Sequence, residues 1–589
     1  MASTFPDLPI FRAIASHDPH KTAIIHSKSN RRFTYGELLK DVEGAKVRLY
    51  HQLKAATSEN EPIGGQRVAF LMENGYDYVV TLLSIFACDS IAIPLSSSFP
   101  ASELRYIIEN SEAVTLLSTG MFQQQAQEVL KEGISHLPTL NVIDKTLSGS
   151  GQDEVQLVQL PTTKGGMMLY TSGTTSRPKG VVLNTSTLTA QCQSLLHAWN
   201  YLPKDHLLHM LPLHHIHGTI NALLAPLFAG STIEFLFPFN ADAVWSRLAA
   251  PFLEPSSSSS SSPQEPITYL TAVPTIYTRL LSSHPRLPPS IQSAARSAIS
   301  PSNLRLNISG SAALPTPTKT AWSDLSSGNV LLERYGMTEV GMALSCGLAF
   351  TDRVDGSVGW PLPGVEVRLV DTETSTPIRL GHEIDPDGKE REGEIQLRGP
   401  TVFSEYWRNE SATSSEFSPA DPNDPNQGRW FKTGDVAARR SVPGTGETQK
   451  DWATGPCYFI KGRKSTDIIK TGGEKVSALE IERELLGLEQ VAECAVVGVE
   501  NEQWGQKVCA IVVLADGWVA GGGRRRSQEV EGAEGATGKP WSIMDMRRAL
   551  KDKLAAYKVP QEMKVVAQLQ KNAMGKVNKK ALVKEVFGS

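Results

Sequence analysis

The chain lacks most of what marks secreted, membrane-embedded or nucleic-acid-binding proteins. Its six cysteines (Cys88, Cys192, Cys346, Cys457, Cys494, Cys509) are far apart in 589 residues and form no CxxC pair. That excludes a disulfide framework and a cysteine-based zinc site, and suits reduced thiols. There is no basic excess: the formal net charge is −4, whereas a dedicated nucleic-acid binder is usually basic. No apolar run reaches membrane length, because the longest stretch, 219–237, is broken by Asn221, Pro226 and Glu234. The opening "MASTFPDLPIFRAIASHD" has no apolar core of signal-peptide length, and Asp7 and Asp18 beside a lone Arg12 do not suit an Arg-rich transit peptide. The closing "VFGS" is not a peroxisomal signal. The expected compartment is the cytosol, with the mitochondrion as the alternative. No internal repeat is visible.

What is present is an ordinary globular composition, 40% apolar and 20% charged, on a chain too long for one core. "RVAFLM" (67–72) reads as a strand, "GYDYVVTLLSIFACD" as an amphipathic helix and "IAIPL" as a strand. The pattern returns as "MMLY", a helix from about Ser186 to Trp199, and "HLLHML". Such alternation predicts parallel sheets covered by helices, an α/β fold. The Ser256–Ser262 run between Pro255 and Pro263 reads as a surface insert, as do roughly 441–455 and 521–540. Arg524–Arg526 in the last of these fits a solvated loop. Beyond about Lys461 the texture changes. Ser477 and Glu480 form a capping-box pattern, "AECAVVGV" and "KVCAIVVLA" read as strands, "SIMDMRRALKDKLAAYKVP" as a helix closed by Pro560, and "EMKVVAQL" as a last strand. This predicts a small α+β domain behind a hinge at "KGRKSTD".

The stretch "YTSGTTSRPKGVVL" (170–183) packs hydroxyls, glycines and Lys179 between apolar runs. Placed between a strand and a helix, its backbone amides would converge on a phosphate. It does not fit the Walker pattern, and its composition alone also fits a surface turn. Three further segments decide between these. "ERYGMTE" (333–339) sets Tyr335, Thr338 and Glu339 in a tight turn. "WFKTGD" (430–435) sets an acid after a glycine turn. "NAMGKVNKK" (572–580) sets a lysine on a glycine loop. In this order and at these separations the four motifs resemble the adenylate-forming superfamily of acyl-CoA synthetases, luciferases and peptide-synthetase adenylation domains, over nearly the whole chain.

The resemblance implies a large N-terminal domain of stacked sheets (1–461), a hinge (462–466) and a small mobile α+β lid (467–589). It implies an acid activated by MgATP as an acyl-adenylate, then transferred to coenzyme A. Thr171, Ser172, Gly173, Thr174, Thr175 and Lys179 would hold the β- and γ-phosphates; Ser176 stands where the family usually has glycine. Tyr335 would stack on adenine beside Gly310, Ser311 and Ala312. Thr338 would touch the α-phosphate and Glu339 would hold Mg²⁺. Asp435 would bind the ribose with help from Arg463, and Lys576 would reach the reacting oxygens. Gly472 and Gly473 would face the site after lid rotation, to admit coenzyme A. The hinge pivot falls at Lys464 or Ser465.

"LPLHHIHG" (211–218), with His209, offers four histidines but no nearby carboxylate or cysteine, so a metal cluster is not expected. The resemblance makes the segment a wall of the acyl pocket, with His215 between the acyl site and the coenzyme A path, and His217 and Met342 lining the pocket. Arg334 immediately precedes Tyr335. An arginine keeps its charge and is costly to bury unpaired. It either points outward to pair with Glu333 or other acids, or it joins Arg279 as a clamp for a second carboxylate on the substrate, matching that group's geometry in a bidentate fork. The rival expectations are a ligase for aryl or medium-chain acids, a domain that loads a carrier protein, and a non-catalytic ATP-binding protein. The last would be expected to lack Lys576 or Glu339. The expected partners are small molecules only: the acid, ATP and coenzyme A.

Overall fold

The computed structural model describes residues 4–57, 61–131, 133–149, 156–159, 163–171, 177–253, 264–419, 428–472, 474–521, 538–571 and 577–588. The strand–helix alternation builds two large, mainly parallel sheets. One has seven strands. Gly166–Thr171, Ile91–Pro94, Arg67–Leu71, Thr115–Thr119 and Thr139–Ile143 run parallel, and Lys179–Asn184 and Glu405–Tyr406 add an antiparallel edge. The other has nine. Six run parallel, from Leu332–Met337 through Leu306–Ser309, Tyr269–Ala272, His206–His209 and Thr232–Phe235 to Thr22–His26. A third, antiparallel sheet carries Glu366–Asp371, Gly393–Arg398, Phe431–Arg440 and Cys457–Arg463.

The helix Tyr76–Ala87 is buried on every face, where the sequence suggested an amphipathic one. Its side chains share one apolar cluster with Val68 and Phe70 of the seven-stranded sheet and Ile24 and Ile233 of the nine-stranded sheet, so it has no solvent face to mark with charge.

The hydroxyl-rich loop also departs from expectation. It joins two antiparallel strands, with Thr171 directly opposite Lys179. The helix Thr185–Trp199 begins only after the second strand, capped by the Asn184 side chain. Val181 and Val182 explain this, since β-branched residues favour a pleated, packed strand. The flanking strands therefore pair antiparallel, and the helix begins at Thr185, after the second strand.

The smaller sheet after residue 467 orders Glu474–Ser477, Ile468–Thr471, Gly505–Leu514 and Val491–Asn501, with Glu562–Val565 parallel to Gly505–Leu514. Ser477 caps the helix Ala478–Leu486 by accepting from the Glu480 amide at 3.1 Å, but the Glu480 carboxylate takes Lys558 at 2.8 Å. The predicted long helix stops at Leu550. The parallel pairing of Glu562–Val565 requires the chain to double back first, and Pro560 bars its predecessor from helical geometry. The turn at 464–467 is tied to this unit. Asp467 accepts from the Arg463 amide at 3.0 Å, and the half-buried Lys579 ammonium bridges Asp467 at 2.6 Å and Glu482 at 2.7 Å.

In the nine-stranded sheet a buried acid holds two neighbours, Arg247 at 2.7 Å and His206 at 3.1 Å from the Glu234 carboxylate. Burial alone would raise this acid, but hydrogen bonds from His206 and Arg247 outweigh it and pull Glu234 down to about 2 from 4.5. A depressed folded value means stability present above the unfolded value and lost as pH falls through the folded one. Unfolding free energy should therefore decline between about pH 4.5 and 2, by at most about 1.4 kcal/mol per pH unit from this group. Denaturant titrations of Glu234→Gln across that range should show a flatter decline than the wild type.

Candidate active site

The parallel strands of the nine-stranded sheet deliver their polar residues at their carboxyl ends, where open α/β sheets bind ligands. Leu306–Ser309 runs into Gly310 and Ser311, Leu332–Met337 into Thr338 and Glu339, and His206–His209 into the histidine segment.

Strand alternation separates two charges. Glu333 and Arg334 point to opposite faces. Glu333 is buried and pairs with Lys319 at 2.7 Å. Arg334 is 4% exposed, donates to Ser311 Oγ at 3.2 Å, and has no carboxylate partner among the described residues. Its Nε has no hydrogen-bond partner. Burial pushes the guanidinium down to about 9. Of the two expectations for Arg334, outward pairing with Glu333 is excluded.

The guanidinium lies against the Gly310 backbone, where a Cβ would stand 2.4 Å from Nε, so only glycine leaves room for it. Ser311 follows with φ +69°, a left-handed conformation uncommon for a residue with a side chain. That geometry places its hydroxyl between Arg334 and His217 Nδ1, the latter at 3.3 Å, while His217 Nε2 meets Thr271 Oγ1 at 2.7 Å. Burial first, and the Arg334 charge second, drive His217 well below its usual range. A neutral ring that accepts from Ser311 and donates to Thr271 satisfies the whole chain. Thr271 was missed from sequence; a threonine in the apolar run "YLTAV" was its only signal.

The second cluster gathers residues a hundred positions apart. Tyr335 Oη donates to Asp435 Oδ2 at 2.6 Å, and Arg463 Nε donates to Asp435 Oδ1 at 3.1 Å. Asp435 and Arg463 are direct cross-strand partners. Gly434, at φ +73°, lies within the strand Phe431–Arg440, where the pairing with Gly393–Arg398 shifts register, so the acid sits at a strand irregularity and not after the glycine turn expected from the sequence. Glu339 is buried and accepts from Tyr406 Oη at 2.9 Å; burial raises its carboxyl, and the Tyr406 hydrogen bond works against that rise. Lys179 sits 4.4 Å over the Tyr406 ring and 3.7 Å from Glu416. Tyr406 is a further residue that sequence reasoning missed, because nothing in "SEYW" distinguishes it.

Other expected residues fall less centrally. Arg279 is exposed, with its guanidinium 4.7 Å over the Phe239 ring. Nothing among the described contacts joins it to Arg334, so the two arginines do not form a clamp here. The His215 ring lies 4.1 Å from that of His214, tilted by 53°, two residues before a π-helical turn, His217–Leu224. Met342 is buried in the core opposite Gly336. Thr338 is half-buried in its turn, Ala312 is exposed, and Lys464 and Ser465 are exposed in the 464–467 turn. Gly472, at φ +57°, donates its amide to the Trp504 carbonyl at 2.9 Å. Its hairpin is tied to the third sheet by Lys475–Glu373 at 2.8 Å and Lys389–Glu474 at 3.1 Å. Ser172, Gly173, Thr174, Thr175, Ser176, Gly473 and Lys576 lie outside the described residues. Among the described residues no three His, Cys, Asp or Glu cluster as a metal site, and no helix is long and apolar enough to cross a membrane.

Comparison with known proteins assigns the class. The AMP-binding enzyme family matches residues 11–407, and the AMP-binding enzyme C-terminal domain matches residues 480–576. The chain belongs to this adenylate-forming family. Within it, the chain is an AMP-forming acid–CoA ligase that works on small molecules. It is 54% identical to a CoA ligase of Gibberella moniliformis, over 98% of this chain and 94% of that protein. It is 37% identical to the human mitochondrial malonate–CoA ligase ACSF3, over 89% of this chain and 84% of that one. Its fold resembles ATP-bound MatB from Rhodopseudomonas palustris, with a TM-score of 0.75, 28% identity and 98% of each chain covered.

Proposed function

We propose that this ligase activates malonate, through the reaction ATP + malonate + CoA → AMP + pyrophosphate + malonyl-CoA, with methylmalonate as a second substrate. The observation that carries this reading is Arg334: a buried guanidinium, braced by Ser311 and lacking an acid, at the mouth of the parallel strands. The far carboxylate of a short diacid supplies the missing charge. An aryl or medium-chain acid would leave Arg334 desolvated and unpaired. The resemblance to a malonate–CoA ligase adds support.

In this reading a malonate oxygen attacks the α-phosphorus of ATP. The bond from that phosphorus to the β-phosphate oxygen breaks, giving malonyl-adenylate and pyrophosphate. The coenzyme A thiolate then attacks the acyl carbon and AMP leaves. Thr171, Lys179 and the intervening hairpin bind the β- and γ-phosphates, Thr338 approaches the α-phosphate, and Asp435, steadied by Arg463, accepts from the ribose hydroxyls. Tyr335 borders the adenine beside Gly310–Ala312, and its hydroxyl bond fixes the ring against Asp435. Glu339 fits Mg²⁺, which takes one or two carboxylates and otherwise substrate phosphates: its Oε1 is occupied by Tyr406, and its oxygens are the hard donors that ion prefers. Mg²⁺ there would offset phosphate charge. Lys576, on a lid hinged at 462–466, stabilises the charge developing between carboxylate and α-phosphate, and the Gly472–Gly473 hairpin takes its place for thioester formation. His217, kept neutral by its burial, keeps the acyl path polar without adding charge, and His215 stands beside it in the wall. The mitochondrial name of the human relative favours the mitochondrion over the cytosol.

The test is pyrophosphate release across acetate, propionate, malonate, methylmalonate, succinate, octanoate and coumarate. Malonate should exceed acetate and propionate in kcat/KM by roughly 10²-fold or more, because a monoacid leaves a buried polar group unpaired. Methylmalonate differs by one methyl, worth only about 1–3 kcal/mol. Equal rates for malonate and propionate would remove the diacid assignment.

A further inference from the structure

The short strand Glu405–Tyr406 joins the two halves of the proposed phosphate and metal site. It pairs with Lys179–Asn184, setting Tyr406 opposite Val181. The Trp407 amide donates to Gly180 O at 2.8 Å, and the Phe403 amide donates to Glu339 O at 2.7 Å. The backbone of 403–407 therefore holds both the strand that begins with Lys179 and the turn that ends with Glu339. Tyr406 repeats this bridge with its side chain. It is 4% exposed, so its ring cannot swing aside. Its hydroxyl donates to Glu339 Oε1 at 2.9 Å, and the Lys179 ammonium stands 4.4 Å over its ring.

We infer that Tyr406 is a positioning residue that aims both charged groups, its hydroxyl orienting the Glu339 carboxylate and its ring face holding the Lys179 ammonium at the start of the strand Lys179–Asn184. A carboxylate with one oxygen hydrogen-bonded presents the other in a fixed direction, and partners one step behind a metal ligand commonly set its orientation. A lysine ammonium has several rotamers; the electron-rich face of a buried tyrosine selects one. Neither job is visible in sequence. The inference rests on the reading that Glu339 holds Mg²⁺ and Lys179 holds phosphate.

The two jobs separate chemically. Tyr406→Phe removes the hydroxyl and keeps the ring; Tyr406→Leu removes both. Isothermal titration calorimetry of the full chain with ATP is run in two arms, one with excess Mg²⁺ and one with EDTA, without acid or coenzyme A. Y406F should weaken ATP binding by about 10-fold in the Mg²⁺ arm, the lower end for loss of a partner behind a metal ligand. The EDTA arm should change by less than about 2-fold, since Lys179 keeps its platform. Y406L should weaken both arms. Should Y406L fail to fold, pentafluorophenylalanine at 406 keeps the shape and removes the electron-rich face, and both arms should still weaken. Wild-type binding by Y406F in the Mg²⁺ arm, or an equal loss in both arms, overturns the hydroxyl role. An unchanged EDTA arm for the ring-altered protein overturns the ring role. Glu339→Gln separates failure of this inference from failure of its basis. If E339Q leaves the Mg²⁺ arm intact, the metal assignment itself fails. If E339Q loses affinity there and Y406F does not, only the positioning role of Tyr406 fails.

Discussion

Arg334→Ala should cost malonate turnover about 2–5 kcal/mol in kcat/KM, roughly 30- to 5,000-fold, the range for truncating one partner of a desolvated charge pair. The wild-type guanidinium is buried without an acid, held by Ser311 and by the absence of a side chain at Gly310. In the proposed reading, removing it leaves the second carboxylate of malonate facing the Ser311 and Thr271 hydroxyls and the His217 imidazole, with no cation to pair it. ATP binding should change little, because the Tyr335–Asp435–Arg463 cluster does not include Arg334. Arg334→Lys should fall between, keeping charge but losing the planar fork. Propionate, expected to be slow with the wild type, should gain relative to malonate in R334A, since the buried unpaired charge is gone. Steady-state kinetics on both acids, with ATP affinity measured separately, read all of this. Intact malonate turnover in R334A would leave the diacid assignment without its main physical support.

Lys576→Ala should slow adenylate formation by roughly 10²–10³-fold, the scale for losing one preorganised donor at a developing charge. In the proposed mechanism Lys576 acts only in the orientation that brings the C-terminal unit to the α-phosphate. The reaction of supplied malonyl-adenylate with coenzyme A uses the other orientation and should fall much less. Single-turnover measurements of the two half-reactions separate these outcomes. Three residues later, Lys579 is locked to Asp467 in the 464–467 turn and to Glu482 in the helix Ala478–Leu486, which ties the start of the helix Lys579–Phe587 to the hinge turn. An equal drop in both half-reactions would mean that Lys576 serves both states or only the fold, and the two-orientation mechanism would not hold.

Much of the architecture was legible because strands and helices alternate in type along the chain. Strands near 67–71, 91–94 and 206–209 and the helix ending at Trp199 all lie where their patterns put them. The failures are informative. The helix Tyr76–Ala87 carries enough polar residues to look amphipathic, yet Asp77, Thr81 and Ser84 are buried with the rest; packing between two sheets cannot be read from one segment. The hairpin after Thr171 looked like a strand-to-helix turn because six residues of strand, Lys179–Asn184, carry glycine and lysine as well as valine. In the candidate site, residues with a distinctive local motif, such as Tyr335, Glu339 and Asp435, could be singled out from the chain. Residues that matter through a long-range neighbour could not. Tyr406 meets Glu339 from 67 positions away, and Thr271 meets His217 from 54. Arg279 failed in the opposite direction: its segment was recognised, but a helix has several faces, and this arginine lies on the exposed one.

The alternation at Glu333 and Arg334 carries a consequence for how such an enzyme can change. Strand Leu332–Met337 is registered so that Ser309 faces Glu333. Slipping it by one residue would send every side chain through the sheet: the acid would enter the substrate side and repel a dianion, and the guanidinium would meet Lys319. In the proposed reading, recognition is thus written in the parity of a strand. Single substitutions can tune the acid accepted, whereas an insertion or deletion of one residue anywhere between the Ser309 pairing and Tyr335 would invert the preference outright. Lineages that explore new acids should do so by exchange at fixed length in this stretch and keep their insertions for the surface.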